Sequence, residues 1–110
     1  MAKIAITGST GFVGSNISSV LLARGHEVLG LGRRTPVVAP NWPVKVVDFT
    51  DANSIAEALQ GFDAVVHCAI ANDFNKLVDD RIYAYDSYVG LTQSVTRAAN
   101  AAGVKPILIS

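Results

Sequence analysis

The chain is short of the residues that most often carry disulfide, metal and thiol chemistry. Its 110 residues include one cysteine and two histidines. The lone Cys68 cannot form an internal disulfide, which suits a reducing compartment, and no metal-ligating cluster is read from the sequence. Neither sign of charge is in excess. Nine Lys and Arg balance nine Asp and Glu, so no bulk field draws the chain toward nucleic acid or an acidic partner. No apolar run reaches the roughly 20 residues that a bilayer-spanning helix requires. The N-terminus also lacks a basic segment followed by an apolar core. Cleavage there would remove a glycine-rich turn that starts at residue 7, so a cytoplasmic chain without a signal peptide is expected. No repeat or low-complexity tract is present. What remains is a composition that is 50% hydrophobic, enough for one globular domain with a modest core.

Strand and helix patterns alternate from end to end. The first strand is read at Lys3–Thr7 and a helix at Gly11–Arg24, with Val13, Ile17, Val20 and Leu21 on one face. Gly25 ends that helix. A second strand at Glu27–Leu31 leads into an irregular loop, Thr35–Pro43, that holds three prolines. Val44–Val47 reads as strand three. Asp51 or Thr50 then caps a short helix through Leu59, which Gly61 terminates. Strand four is Ala64–His67. A long helical pattern follows from Lys76 to Ala102, closed by Gly103, and Pro106–Ile109 reads as strand five. The strands are apolar without alternation, as in a parallel sheet covered on both faces. Right-handed crossovers then predict an α/β, doubly wound Rossmann sheet of order 3-2-1-4-5, with ligands bound beyond the carboxyl ends of the strands.

The chemistry-bearing residues gather at those ends. Thr7-Gly8-Ser9-Thr10-Gly11-Phe12-Val13-Gly14 joins a buried strand to a helix, with glycines at a G-x-x-G-x-x-G spacing. Such a turn lets backbone N–H groups approach a pyrophosphate. No Gly-Lys-Ser/Thr follows, which excludes a Walker loop, and no acid ends strand two, which speaks against a methyltransferase loop. Arg33 and Arg34 stand there instead. An acid at that place would suit a ribose 2′-hydroxyl, whereas a guanidinium suits a 2′-phosphate, so NADP is favoured over NAD, with Arg33 the nearer candidate. Asp48 is placed to accept from an adenine amino group and Phe49 follows it, while Asp51 reads first as a helix cap. His67 reads as a packed strand-end histidine and Cys68 as an inert buried small side chain. The backbone of Cys68, Ala69 and Ile70 completes the cofactor-lining set. Tyr83, Tyr85 and Tyr88 suit core or subunit contacts, His26 is a turn residue, and Trp42 carries no functional reading.

Taken together, Thr7-Gly8-x-x-Gly11-x-x-Gly14, Asp48-x-x-Asp51, Val65-Val66-His67-Cys68-Ala69, Val89-Gly90 and the strand ending in Ser110 resemble the extended short-chain dehydrogenase/reductases. This is the NAD-dependent epimerase/dehydratase group, which acts mainly on nucleotide sugars. The resemblance implies a pyrophosphate loop at Gly8, Gly11 and Gly14 with amides from Phe12 and Val13, and adenine binding at Asp48. It also implies a catalytic hydroxyl at or just beyond Ser110, followed by a Tyr-x-x-x-Lys pair that these 110 residues do not contain. Ser87 stands where the family often has asparagine.

Residues 1–110 are accordingly expected to be the NAD(P)-binding N-terminal part of a longer oxidoreductase, epimerase or dehydratase. The part alone is expected to be inactive. The expected partners are a dinucleotide and a small alcohol or carbonyl substrate such as a nucleotide sugar, with no nucleic acid and no membrane, and with homodimerisation open for the parent. Two other readings stand beside it: a non-catalytic NAD(P)H-binding sensor or regulator of the same fold, and a free-standing nucleotide-binding module.

Overall fold

The computed structural model of the chain describes residues 1–68 and 90–109. Five apolar stretches become strands: β1 Lys3–Thr7, β2 Glu27–Gly32, β3 Val44–Val46, β4 Ala64–His67 and β5 Lys105–Leu108. Three helices are described: α1 Phe12–Ala23, α2 Ala52–Ala58 and α3 Leu91–Ala102. All strand pairs are parallel, in the order β3-β2-β1-β4-β5, as the alternating pattern predicts. The central strand β1 pairs with β2 on one side and β4 on the other, so its carboxyl end is the point where strand order reverses.

Successive side chains of a strand point to opposite faces, and the two faces found two clusters. Ala5, Leu31 and Val65 pack beneath Ile55, Leu59, Leu91, Val95 and Ala99, joining one face to α2 and α3. Ile4, Ile6, Val28 and Val66 pack with Ile17, Leu21 and Leu22 of α1 and with Trp42 on the other. The edge strands β3 and β5 are the exposed ones, and Ile107 and Leu108 of β5 are largely open.

Two sequence expectations need correcting. Val13 and Val20 do not lie on the buried face of α1; they are exposed, and Gly14 and Ser18 are its buried residues. Gly14 lies against the backbone of Gly8 and Ser9, and the Ser18 hydroxyl is satisfied by donating to the Gly14 carbonyl at 2.7 Å. The strand boundaries also shift by a residue at β2, β3 and β5, where pairing with a neighbour decides the ends. At α2 the choice between Thr50 and Asp51 resolves to Asp51, whose carboxylate accepts from the Asn53 N–H at 2.9 Å. For the long helical pattern, the described part is Leu91–Ala102, and Val95 and Ala99 are buried as its spacing predicts. Gly103 closes it in the left-handed conformation. Residues 76 to 89 of that pattern, with the three tyrosines, lie outside the described residues, as do Ala69, Ile70 and Ser110.

Candidate functional site

The turn between β1 and α1 is built around backbone contacts that exclude side chains. Gly8 adopts a positive φ of 67°, a conformation that costs a side-chain-bearing residue energy. Its N–H donates to the Leu31 carbonyl at 3.2 Å, which fastens the turn to the end of β2. Its carbonyl accepts from the Gly11 N–H at 3.1 Å. A Cβ on Gly14 would stand 2.0 Å from that same carbonyl oxygen and 2.8 Å from its carbon, so the first turn of α1 can rest on the loop only as glycine. A Cβ on Gly11 would meet the protein only at 3.4 Å, which leaves the protein itself little reason to forbid one. Among the described residues, no backbone acceptor meets the N–H groups of Phe12, Val13 or Gly14. The first turn of α1 also carries no acidic side chain. The result is an uncompensated positive helix end beside exposed Thr10, Gly11, Phe12 and Val13, which suits an anion.

Beside it, at the carboxyl ends of β2 and β3, lies a cleft of about 740 Å³. Its walls are Arg33, the segment Val46–Thr50, Ser54 of α2, and Gly90, Leu91 and Ser94 at the start of α3. Of the two arginines singled out from sequence, Arg33 lines this cleft and Arg34 does not. Asp48 is exposed on its wall. Its Oδ1 accepts from the Thr50 hydroxyl at 2.6 Å and from the Thr50 N–H at 2.9 Å. These bonds favour the charged form and hold the carboxyl below its usual 3.8. No donor among the described residues takes Oδ2, which leaves an ionised acceptor at the cleft. Phe49 lines the cleft as well, but its ring is buried in the α2–α3 cluster.

At the end of β4, Thr7 and His67 are register partners. Their side chains meet at 2.7 Å, Thr7 Oγ1 to His67 Nδ1. Burial lowers the His67 pKa below 6.5, so the ring is neutral near pH 7. His67 is thus a packed strand-end residue, as the sequence suggests. The Cys68 N–H donates to Thr7 Oγ1 at 3.0 Å and to the Thr7 carbonyl at 3.1 Å. Its thiol is half-buried rather than buried, and desolvation raises its pKa, which keeps it protonated and inert. His26 accepts at Nδ1 from the Ala2 N–H, 2.9 Å, at the far end of the sheet.

The fold therefore brings the glycine turn, Arg33 and the Asp48 segment to one edge. Asp51 belongs to its helix. Thr50, Ser54 and Ser94 in the cleft were missed by sequence reasoning, since isolated hydroxyl residues carry no pattern. Trp42 was missed as well. Its indole N–H donates to Ser9 Oγ at 3.1 Å, and both residues are buried. Among the described residues no helix is long and apolar enough to cross a membrane, and no group of three potential metal ligands forms.

A family model described as the NAD dependent epimerase/dehydratase family matches residues 4–110. A 3-beta-hydroxysteroid dehydrogenase of Mycolicibacterium neoaurum is 32% identical over 111 aligned positions, covering 96% of this chain and 30% of that one. An uncharacterized protein of Mycobacterium bovis is 38% identical over 71 residues, 61% of this chain and 8% of its own length. The structure of the UDP-glucose 4-epimerase of Thermus thermophilus in complex with NAD superposes with a TM-score of 0.78 at 28% identity, covering 93% of this chain and 35% of that one. The chain thus spans about a third or less of each of these relatives.

Proposed function

Because the chain belongs to the NAD-dependent epimerase/dehydratase family, we propose that it provides the adenosine and pyrophosphate half of a dinucleotide site in an oxidoreductase, epimerase or dehydratase. One observation carries this reading. The glycine turn at Gly8–Gly14, whose Gly14 leaves no room for a side chain, and the cleft holding Arg33 and Asp48 open on the same carboxyl edge of the sheet, tied together by the Gly8 N–H to Leu31 carbonyl bond.

Each residue then has a part. The amides of Phe12 and Val13 bind the pyrophosphate at the positive end of α1, and Gly11 leaves room for its close approach. Asp48 accepts from the adenine amino group through its unpaired oxygen. Arg33 presents a planar fork to a 2′-phosphate, so NADP is favoured over NAD, and Arg34 plays the lesser part. Cys68, Ala69 and Ile70 border the nicotinamide side by backbone, and Ser110 stands at or beside the substrate-orienting hydroxyl. The bound nicotinamide exchanges hydride with a substrate carbon. Relatives named for a hydroxysteroid and for UDP-glucose support an alcohol or its carbonyl as substrate, a nucleotide sugar being the first class to screen.

Calorimetric titration of the protein with NADP⁺ and NAD⁺ tests the reading. Binding of both, with NADP⁺ about ten-fold or more tighter, is expected from one charge-assisted contact. Equal affinities remove the NADP preference. Binding of neither removes the dinucleotide site.

A further inference from the structure

Ser9, the second residue of the glycine turn, is held by three separate elements. Beneath it lies Gly30 of β2: a Cβ there would fall 2.1 Å from Ser9 Oγ and 3.0 Å from Ser9 Cβ. On one side stands Gly14 of α1, whose absent Cβ would lie 3.0 Å from Ser9 Cα. The third element is the proline-bearing loop between β2 and β3, which delivers Trp42. That indole is 8% exposed, Ser9 is 2% exposed, and the Nε1–H donates to Ser9 Oγ at 3.1 Å. The placement of Trp42 is itself fixed, because the carbonyl of the next residue, Pro43, accepts from the Gly30 N–H at 2.8 Å. Gly30 therefore makes room for Ser9 on its side-chain face and anchors the backbone beside Trp42 at its edge.

We propose that Trp42 is a positioning residue for the pyrophosphate cradle: through Ser9 it locks the glycine turn in the shape in which the α1 amides receive the anion. The proposal rests on the dinucleotide reading above and extends it to a residue that touches no ligand. A turn with one residue in the left-handed region and few side chains has many alternative shapes, and each lowers the fraction of molecules ready to bind. A buried hydroxyl with an indole donor selects one shape, because moving the turn would leave the buried N–H unpaired.

The test uses Trp42→Phe, which keeps a ring and deletes the donor, and Ser9→Ala, which keeps Cβ and deletes the acceptor, singly and together in the full-length protein. Two ligands separate the possibilities: NADP⁺, which carries the pyrophosphate, and 2′-adenosine monophosphate, which lacks it and reaches only the cleft. Each single variant is expected to weaken NADP⁺ about three- to ten-fold, the worth of one net hydrogen bond, with the double variant no worse than the singles. Affinity for 2′-adenosine monophosphate stays unchanged. Unaltered NADP⁺ affinity in both variants overturns the proposal. Equal weakening of both ligands overturns it too, showing a general loosening instead. If Trp42→Phe fails to fold, Ser9→Ala decides by the same readouts. An unsubstituted protein that binds neither NADP⁺ nor NAD⁺ overturns the dinucleotide reading and the proposal with it.

Discussion

Replacing Gly14 with alanine sets two effects of opposite sign against each other. Gly14 lies inside α1, where alanine is ordinarily worth about 1 kcal/mol more than glycine. The added Cβ, however, would stand 2.0 Å from the Gly8 carbonyl oxygen, where ordinary contact begins near 3.4 Å. The opposing atoms are backbone, so no rotamer change relieves the overlap. The turn and the helix must separate by roughly 1.4 Å, and the backbone of Ser9, 3.0 Å from the new methyl, blocks the nearest sideways escape. Overpacking costs about 1–3 kcal/mol, and an overlap between backbone atoms belongs to the upper part of that range, so about 1–2 kcal/mol remains after the helix-propensity gain. For a domain near 100 residues each kcal/mol shifts Tm by roughly 4–8 °C, so Gly14→Ala should melt about 4–16 °C lower by circular dichroism. Moving the turn also misplaces the α1 amides, and NADP⁺ affinity should drop at least about ten-fold, since a displacement near 1 Å is already costly. Gly11→Ala is the matched control. Its Cβ meets only a 3.4 Å contact, so Tm should hold while dinucleotide affinity falls, because the methyl enters space left for the ligand. A Gly14→Ala protein with unchanged or raised Tm and unchanged affinity would refute the reasoning, since helix propensity would then have won.

Three further outcomes follow from the site. Arg33→Ala should weaken NADP⁺ about 10- to 100-fold and leave NAD⁺ nearly unchanged, while Arg34→Ala changes little; parallel calorimetry on both variants checks this, and equal effects would reverse the assignment. His67 is held below its ordinary 6.5 by burial, so the unfolded chain binds a proton there more readily. Its effect on stability is absent above that pH and grows as pH falls below 6.5 toward the folded value. The urea midpoint should drop from pH 7.5 to pH 5, and His67→Asn should flatten that decline; identical slopes would remove His67 as its source. Asp48 is depressed chiefly by the Thr50 hydroxyl, so its bonds are present above the unfolded value of 3.8 and fade as pH falls through the lower folded one. Thr50→Val should move the Asp48 carboxyl titration up toward 3.8, as carbon-13 NMR would record, and an unmoved titration would give the effect to another cause.

Much of this architecture follows from local rules. Apolar runs such as Ile4–Ile6 and Ala64–Val66 have no polar face to present to water, so they become inner strands, and the helices between them oblige those strands to run parallel. The Asp51 cap is legible because donor and acceptor are two residues apart. The glycine spacing marks the cradle because the turn itself demands a missing side chain at Gly8 and Gly14.

What lies beyond local rules needed the tertiary structure. Periodicity ranks residues by hydrophobicity, so it put Val13 and Val20 on the apolar face; the buried residues of α1 are instead Gly14, which lies against the turn, and Ser18. The cleft joins Arg33, Asp48 and Ser94 from three separate elements, and only the folded sheet decides that Arg33 enters it and Arg34 does not. Thr7 and His67, 60 residues apart, meet because β1 and β4 pair in one register. Trp42 and Ser9, 33 residues apart, meet because Gly30 between them in sequence has no side chain to keep them separate. The sequence by itself determined that this chain folds as alternating strands and helices with a glycine turn after the first strand. Packing decided which side chains shape that turn, because contact between distant residues depends on the space their neighbours leave.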